Sequence, residues 1–136
     1  MKDTLRPGLA SEAKITVDDT RVTAILGPDM KVYATPFMIR DIERTCRDLI
    51  LAHVDPGEDS VGAKVEVEHL APALPGSEVT VSVKLVEMNG RRLRFAASVR
   101  DAIDEIGRGH HERFVVEVAK ARARQEKKRA QLQGVR

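Results

Sequence analysis

Residues 34–50 read ATPFMIRDIERTCRDLI, and their spacing decides the fold. Met38, Ile42, Cys46, Leu49 and Ile50 recur at intervals of three and four, which marks a helix with one buried stripe. Arg40, Arg44, Arg47 and Asp48 supply a polar side. Thr35 suits the N-cap, because its hydroxyl can accept a bond from an early helix N–H. Pro36 suits the next position, where its missing N–H has no helical partner to lose. Asp55-Pro56-Gly57 stops the helix after roughly 20 residues.

The flanking segments follow a different period. Ala13, Ile15 and Val17 alternate within a first strand, Ala10–Val17, and Thr20–Leu26 reads as a short helical turn closed by Gly27-Pro28. After the helix the pattern is all strand. In Val61–Leu70, Val61, Ala63, Val65 and Val67 take one face and Lys64, Glu66 and Glu68 the other. Val79, Val81, Val83 and Leu85 alternate next, Asn89-Gly90 signals a hairpin, and Leu93, Phe95, Ala97 and Val99 form the return strand. Ile106–Val118 is the last long strand. Strand, long helix and antiparallel meander give an α+β domain in which one helix stripe covers one sheet face.

The 136 residues are 42% hydrophobic and 32% charged, the composition of one globular domain. Aromatic residues are 3%, too few for a base-stacking platform, and no apolar run approaches the roughly 20 residues of a membrane span. The first residues lack a signal peptide's apolar core, so a cytoplasmic location is expected. A single cysteine, Cys46, excludes an internal disulfide and a multi-cysteine metal site. Ala119–Arg136 carries seven Lys/Arg against one Glu, so residues 1–118 read as the folded domain and 119–136 as a basic, helical tail. The domain is mildly acidic, which argues against nucleic acid as a partner.

Three residues stand out chemically. His69 shares the apolar face of its strand with Val65 and Val67, so it is either a hydrogen-bonded core histidine or a functional one. Glu43 lies at the edge of the helix stripe, where it is a surface carboxylate or a reactive one, with Asp41 and Asp48 as competitors. Thr35 sits where free N–H groups and the positive dipole end could steady a developing oxyanion. His110 and His111 are adjacent on a strand and point to opposite faces, so they do not chelate one metal.

Taken together, Ala34-Thr35-Pro36-Phe37-Met38, a Glu eight positions after the Thr and a later strand ending in His69 resemble the hotdog-fold acyl-CoA thioesterases, most closely the fluoroacetyl-CoA thioesterase group. Asp55-Pro56-Gly57-Glu58, Leu74-Pro75-Gly76, Gly90-Arg91-Arg92-Leu93 and His111-Glu112-Arg113 extend the resemblance over residues 1–118. The resemblance implies a hotdog fold, with a curled antiparallel sheet around one long central helix, and a homodimer with active sites at its interface. It implies hydrolysis of a small acyl-CoA by Thr35, Glu43 and His69, with no cofactor or metal and no membrane partner. Gly62 and Arg113 would contact substrate, with Tyr33 and Phe37 as further substrate-binding candidates. Independently of the resemblance, Arg91, Arg92, Arg94 and the basic tail are candidates for the CoA phosphates, since arginine binds phosphate well; the alternative is that Arg91 and Arg92 simply solvate a hairpin. Where the family carries a longer, Phe-bearing lid, this chain has Ile25–Tyr33 with Leu26, Met30, Val32 and Tyr33 and no Phe. A hotdog hydratase or dehydratase and a non-catalytic acyl-CoA-binding module are the competing readings.

Overall fold

The computed structural model describes residues 1–135. Seven strands and two helices follow in order: β1 (Ala10–Thr16), β2 (Val22–Thr23), β3 (Val32–Tyr33), α1 (Thr35–Leu51), β4 (Glu58–His69), β5 (Glu78–Asn89), β6 (Arg92–Arg100), β7 (Glu105–Glu117) and α2 (Val118–Gln133). Five strands form one antiparallel sheet in the order β1-β5-β6-β7-β4. Met38, Ile42, Cys46 and Ile50 of α1 are fully buried, packed with Val79, Val81, Leu85, Leu93, Phe95 and Val99 of the sheet. The helix period of 3.6 and the strand period of 2 meet in one shared core.

The expected curling of the sheet around the long helix is corrected. The sheet is open, with β1 and β4 as its two edges, neither curling nor closing around α1. A single helix of 17 residues covers one face, so nothing forces the sheet to wrap it. A second helix, α2, follows β7 directly and buries none of its residues. Among the described residues, no helix is long and apolar enough to cross a membrane.

Smaller differences have local causes. Thr20–Leu26 is not helical, because Val22 and Thr23 pair with Tyr33 and Val32 in a two-stranded ribbon. The N-cap of α1 is Ala34, with Thr35 the first helical residue and no side-chain cap bond. The hairpin turns on Gly90 and Arg91, since Asn89 already pairs with Arg92, and Gly90 alone takes the left-handed conformation (φ 62°).

One irregularity shapes everything that follows. Gly62 pairs with Arg113 but Lys64 pairs with Glu112, so β4 carries a β-bulge with one extra residue, Ala63. Bulges re-aim side chains, often beside functional sites. Here the bulge turns Val61 away from Val65 and Val67, against the expected single face, and places Gly62 on the inner face with His69. Gly62 and His69 are seven residues apart, an odd number that an unbroken strand would send to opposite faces.

Gly109 of β7 lets β4 lie close. A Cβ there would overlap the Glu66 carbonyl oxygen and approach Val67 Cα to 2.8 Å. Gly109→Ala must therefore push β4 off its neighbour, and a loss of about 3 kcal/mol is expected, at the upper end for overpacking. A thermal melt indistinguishable from that of the parent protein would show that the ladder can yield.

Candidate active site

α1 and β4 position two clusters on the inner face of the sheet. The first lies at the start of α1. Thr35 Oγ1 is 2.7 Å from His69 Nδ1. The Tyr33 ring packs edge-on against the His69 ring, centroids 6.5 Å apart and planes at 79°. Burial lowers the His69 pKa below the ordinary histidine value, opposed in part by the Ala71 backbone. The imidazole is therefore neutral at pH 7 and able to take a proton. Its Nε2 is buried and has no hydrogen-bond partner among the described residues.

The second cluster lies two turns further along α1. Glu43 Oε2 faces Arg113 Nη1 at 3.9 Å, with the Arg113 side chain only 6% exposed and Glu43 41% exposed. Arg113 donates from Nε to Ser60 Oγ (2.8 Å), from Nη2 to the Ser60 carbonyl (2.9 Å) and from Nη1 to His111 Nε2 (3.2 Å). Gly62 leaves the space above these groups open. A Cβ there would lie 3.5 Å from Glu43 Oε2, 3.6 Å from His111 Cε1 and 3.7 Å from Arg113 Nη1. A ligand can thus approach carboxylate, guanidinium and strand backbone together.

Within one chain the two clusters stay apart. Thr35 and Glu43 are separated by about 12 Å of helix rise. No hydrogen bond links Glu43 to Thr35 or His69 among the described residues. Beside them β4 is a bare edge, exposed on both faces from Val61 to Glu66.

The other residues singled out from sequence are placed as follows. Tyr33 is 1% exposed and backs His69. Its hydroxyl donates to Asp41 Oδ2 at 2.5 Å, and burial, with Asp41 beside it, holds its pKa far above the ordinary tyrosine value. Phe37 is half-buried with the Arg40 guanidinium stacked 4.7 Å from its ring centre. Arg91 pairs with Glu58 (3.1 Å) and Arg92 with Glu112 (2.6 Å). Ile25, Leu26 and Met30 of the segment before α1 project into solvent. Cys46 is fully buried, and burial pushes its thiol up to about 12, the state of a packing residue rather than a nucleophile. His53 bonds Thr4 Oγ1 at 2.8 Å.

Sequence reasoning gave Ser60 and His111 no role in the site and missed the pairing of Asp41 with Arg21. Ser60 and His111 lie two residues from Gly62 and Arg113 respectively, so the strand period alone would have put them on the same face. A groove of about 780 Å³ between α2 and the sheet, lined by Val61, Phe114, Arg124, Lys128 and Arg129, opens on the opposite side from Glu43.

This architecture is shared with solved thioesterases. A thioesterase superfamily member from Thermus thermophilus superimposes with a TM-score of 0.87 at 28% identity, covering 96% of this chain and 97% of that one. The protein is therefore a hotdog-fold thioesterase by class. A fluoroacetyl-CoA thioesterase structure matches with a TM-score of 0.84 at 34% identity, over 93% and 98% of the two chains. The fluoroacetyl-CoA thioesterase of Streptantibioticus cattleyicolor is 35% identical over 131 residues, 91% of this chain and 94% of that one. Residues 15–119 match the fluoroacetyl-CoA-specific thioesterase family, and the chain belongs to that family of acyl-CoA thioesterases.

Proposed function

We propose that this protein hydrolyses a small acyl-CoA thioester to the free acid and CoA, with Thr35, Glu43 and His69 as its reacting groups. The observation that carries the reading is the placement of Glu43, Gly62 and the Thr35–His69 pair on one inner face beside an open edge strand. Glu43 attacks the thioester carbon or activates the water that does so. Neutral His69, oriented by Thr35, takes up and returns the proton. Backbone N–H groups at Gly62 or at the start of α1 meet the carbonyl oxygen as it gains charge.

The same reading calls for a homodimer. A long bare edge strand is a surface that proteins normally cover. Two copies joined antiparallel along β4 about a two-fold axis bring the Gly62 end of one strand beside the His69 end of the other. That joins the two separated clusters into one site, twice per dimer. Acyl-CoA enters beside β4. The shorter, Phe-free segment before α1 leaves the acyl group less enclosed than a Phe lid would, so a panel rather than one substrate is the right probe.

The test is free-thiol release from acyl-CoAs of increasing length, fluoroacetyl-CoA included, for the parent protein and His69→Ala. Turnover on short acyl chains that falls at least a hundredfold in the variant is expected, within the range for a lost acid–base group. Equal turnover by both proteins would remove His69 from the mechanism, and hydration of enoyl-CoA without thiol release would replace hydrolysis with lyase chemistry.

A further inference from the structure

We infer that His111 is a positioning residue that holds the Arg113 guanidinium off the Glu43 carboxylate, keeping that carboxylate charge-balanced but free to react. The inference rests on the reading of Glu43 as the reactive carboxylate.

The geometry defines the tautomer of His111. Its Nδ1–H donates to the Lys64 carbonyl at 2.8 Å, since a carbonyl can only accept. Nε2 is then unprotonated and accepts from Arg113 Nη1 at 3.2 Å. The ring is 1% exposed, and burial lowers its pKa, with the Lys64 backbone opposing and Arg113 adding to the effect. A neutral imidazole next to a buried guanidinium is the state these neighbours favour.

Arg113 has every nitrogen engaged. Nε and Nη2 are fixed on Ser60, and Nη1 is fixed on His111. Glu43, at 3.9 Å, is within range of the charge but beyond a hydrogen bond. Without an acceptor at His111 Nε2, a buried N–H would be left unpaired, which is costly. The nearest carboxylate is Glu43, and a charge-assisted bond from Arg113 would then occupy the oxygen that has to react. The anchor for this arrangement is the β4 bulge, because Lys64, whose carbonyl orients the ring, is its closing residue.

Two substitutions separate the two ring nitrogens. The amide of Gln reaches about the position of Nε2 and that of Asn about the position of Nδ1. His111→Gln keeps an acceptor for Arg113 and gives up Lys64, whereas His111→Asn does the reverse. Thiol release is measured for both, beside the parent protein and Glu43→Gln, together with thermal melts and a crystal structure of His111→Asn. The expected result is kcat within about threefold of the parent for His111→Gln and at least about tenfold lower for His111→Asn, part of the 10²–10⁴ that a positioned base supplies. KM should move less than kcat in both. In the His111→Asn crystal, Arg113 should close to hydrogen-bond distance of Glu43.

Equal losses in the two variants, a loss confined to KM, or an Arg113–Glu43 separation still near 3.9 Å would overturn the inference. The crystallographic distance decides it without reference to turnover. Undiminished turnover by Glu43→Gln would instead count against the reading of Glu43 itself.

Discussion

Glu43→Gln should reduce kcat by about 10²–10⁴ while the protein remains folded. The substitution changes little in volume and leaves Gly62, Arg113 and His111 where they are. What it removes is the charge that faces Arg113 and the open space above Gly62. An amide is neither a nucleophile toward a thioester nor a base toward water, so both mechanistic versions predict the same loss. Steady-state thiol release checks it, with a thermal melt to show that the fold survives. A kcat within about threefold of the parent, well short of the loss expected of a base, would take Glu43 out of the reaction. Arg113 loses its nearest carboxylate in this variant, so a modest drop in melting temperature is the expected companion effect and not an alternative explanation for lost turnover.

The largest effect on stability is expected at Asp41, a helix residue that touches no candidate ligand space. Asp41 is 1% exposed and accepts from Arg21 Nε (2.9 Å), Arg21 Nη2 (3.1 Å) and the Tyr33 hydroxyl. Its own backbone carbonyl accepts from Thr45 Oγ1 at 2.7 Å. The cluster ties α1 to β3 and to the loop before β2, and it fixes the tyrosine that backs His69. Removing one partner of a buried pair strands the other charge. Asp41→Ala should therefore cost about 3–5 kcal/mol, a fall of about 10–15 °C in melting temperature for a chain of this size. Replacing the pair together, as Asp41→Leu with Arg21→Met, should recover much of that loss, because no uncompensated charge is left buried. A double variant no more stable than Asp41→Ala would mean that the pair itself, and not the stranded charge, holds the segment.

Asp41 also shows where reading along the chain stops. Its position on α1 is adjacent to the buried stripe, and helical spacing treats it as an ordinary flanking carboxylate. Only Arg21 and Tyr33, distant in sequence and brought in by the β2–β3 ribbon, make it an interior residue. Arg91 and Arg92 are the reverse case. Their charge in a hairpin reads as unpaired along the chain, but Glu58 and Glu112 arrive from other strands and pair with them.

Local periodicity was sufficient for much of this protein: the course of α1, the first strand before it and the four long strands after it, the hairpin near Gly90, and the burial of Cys46. These depend on side-chain spacing within one segment, and hydrophobic burial rewards that spacing wherever the segment ends up. Thr35, Glu43 and His69 could be named as chemically unusual for the same reason. The tertiary structure alone decided that the sheet stays open, that Thr35 bonds His69 instead of capping its helix, and that a single inserted residue at Ala63 puts Gly62 on the face of His69. Each of these depends on a partner from another part of the chain. The period of an isolated strand contains no record of how many residues its neighbour will spend opposite it.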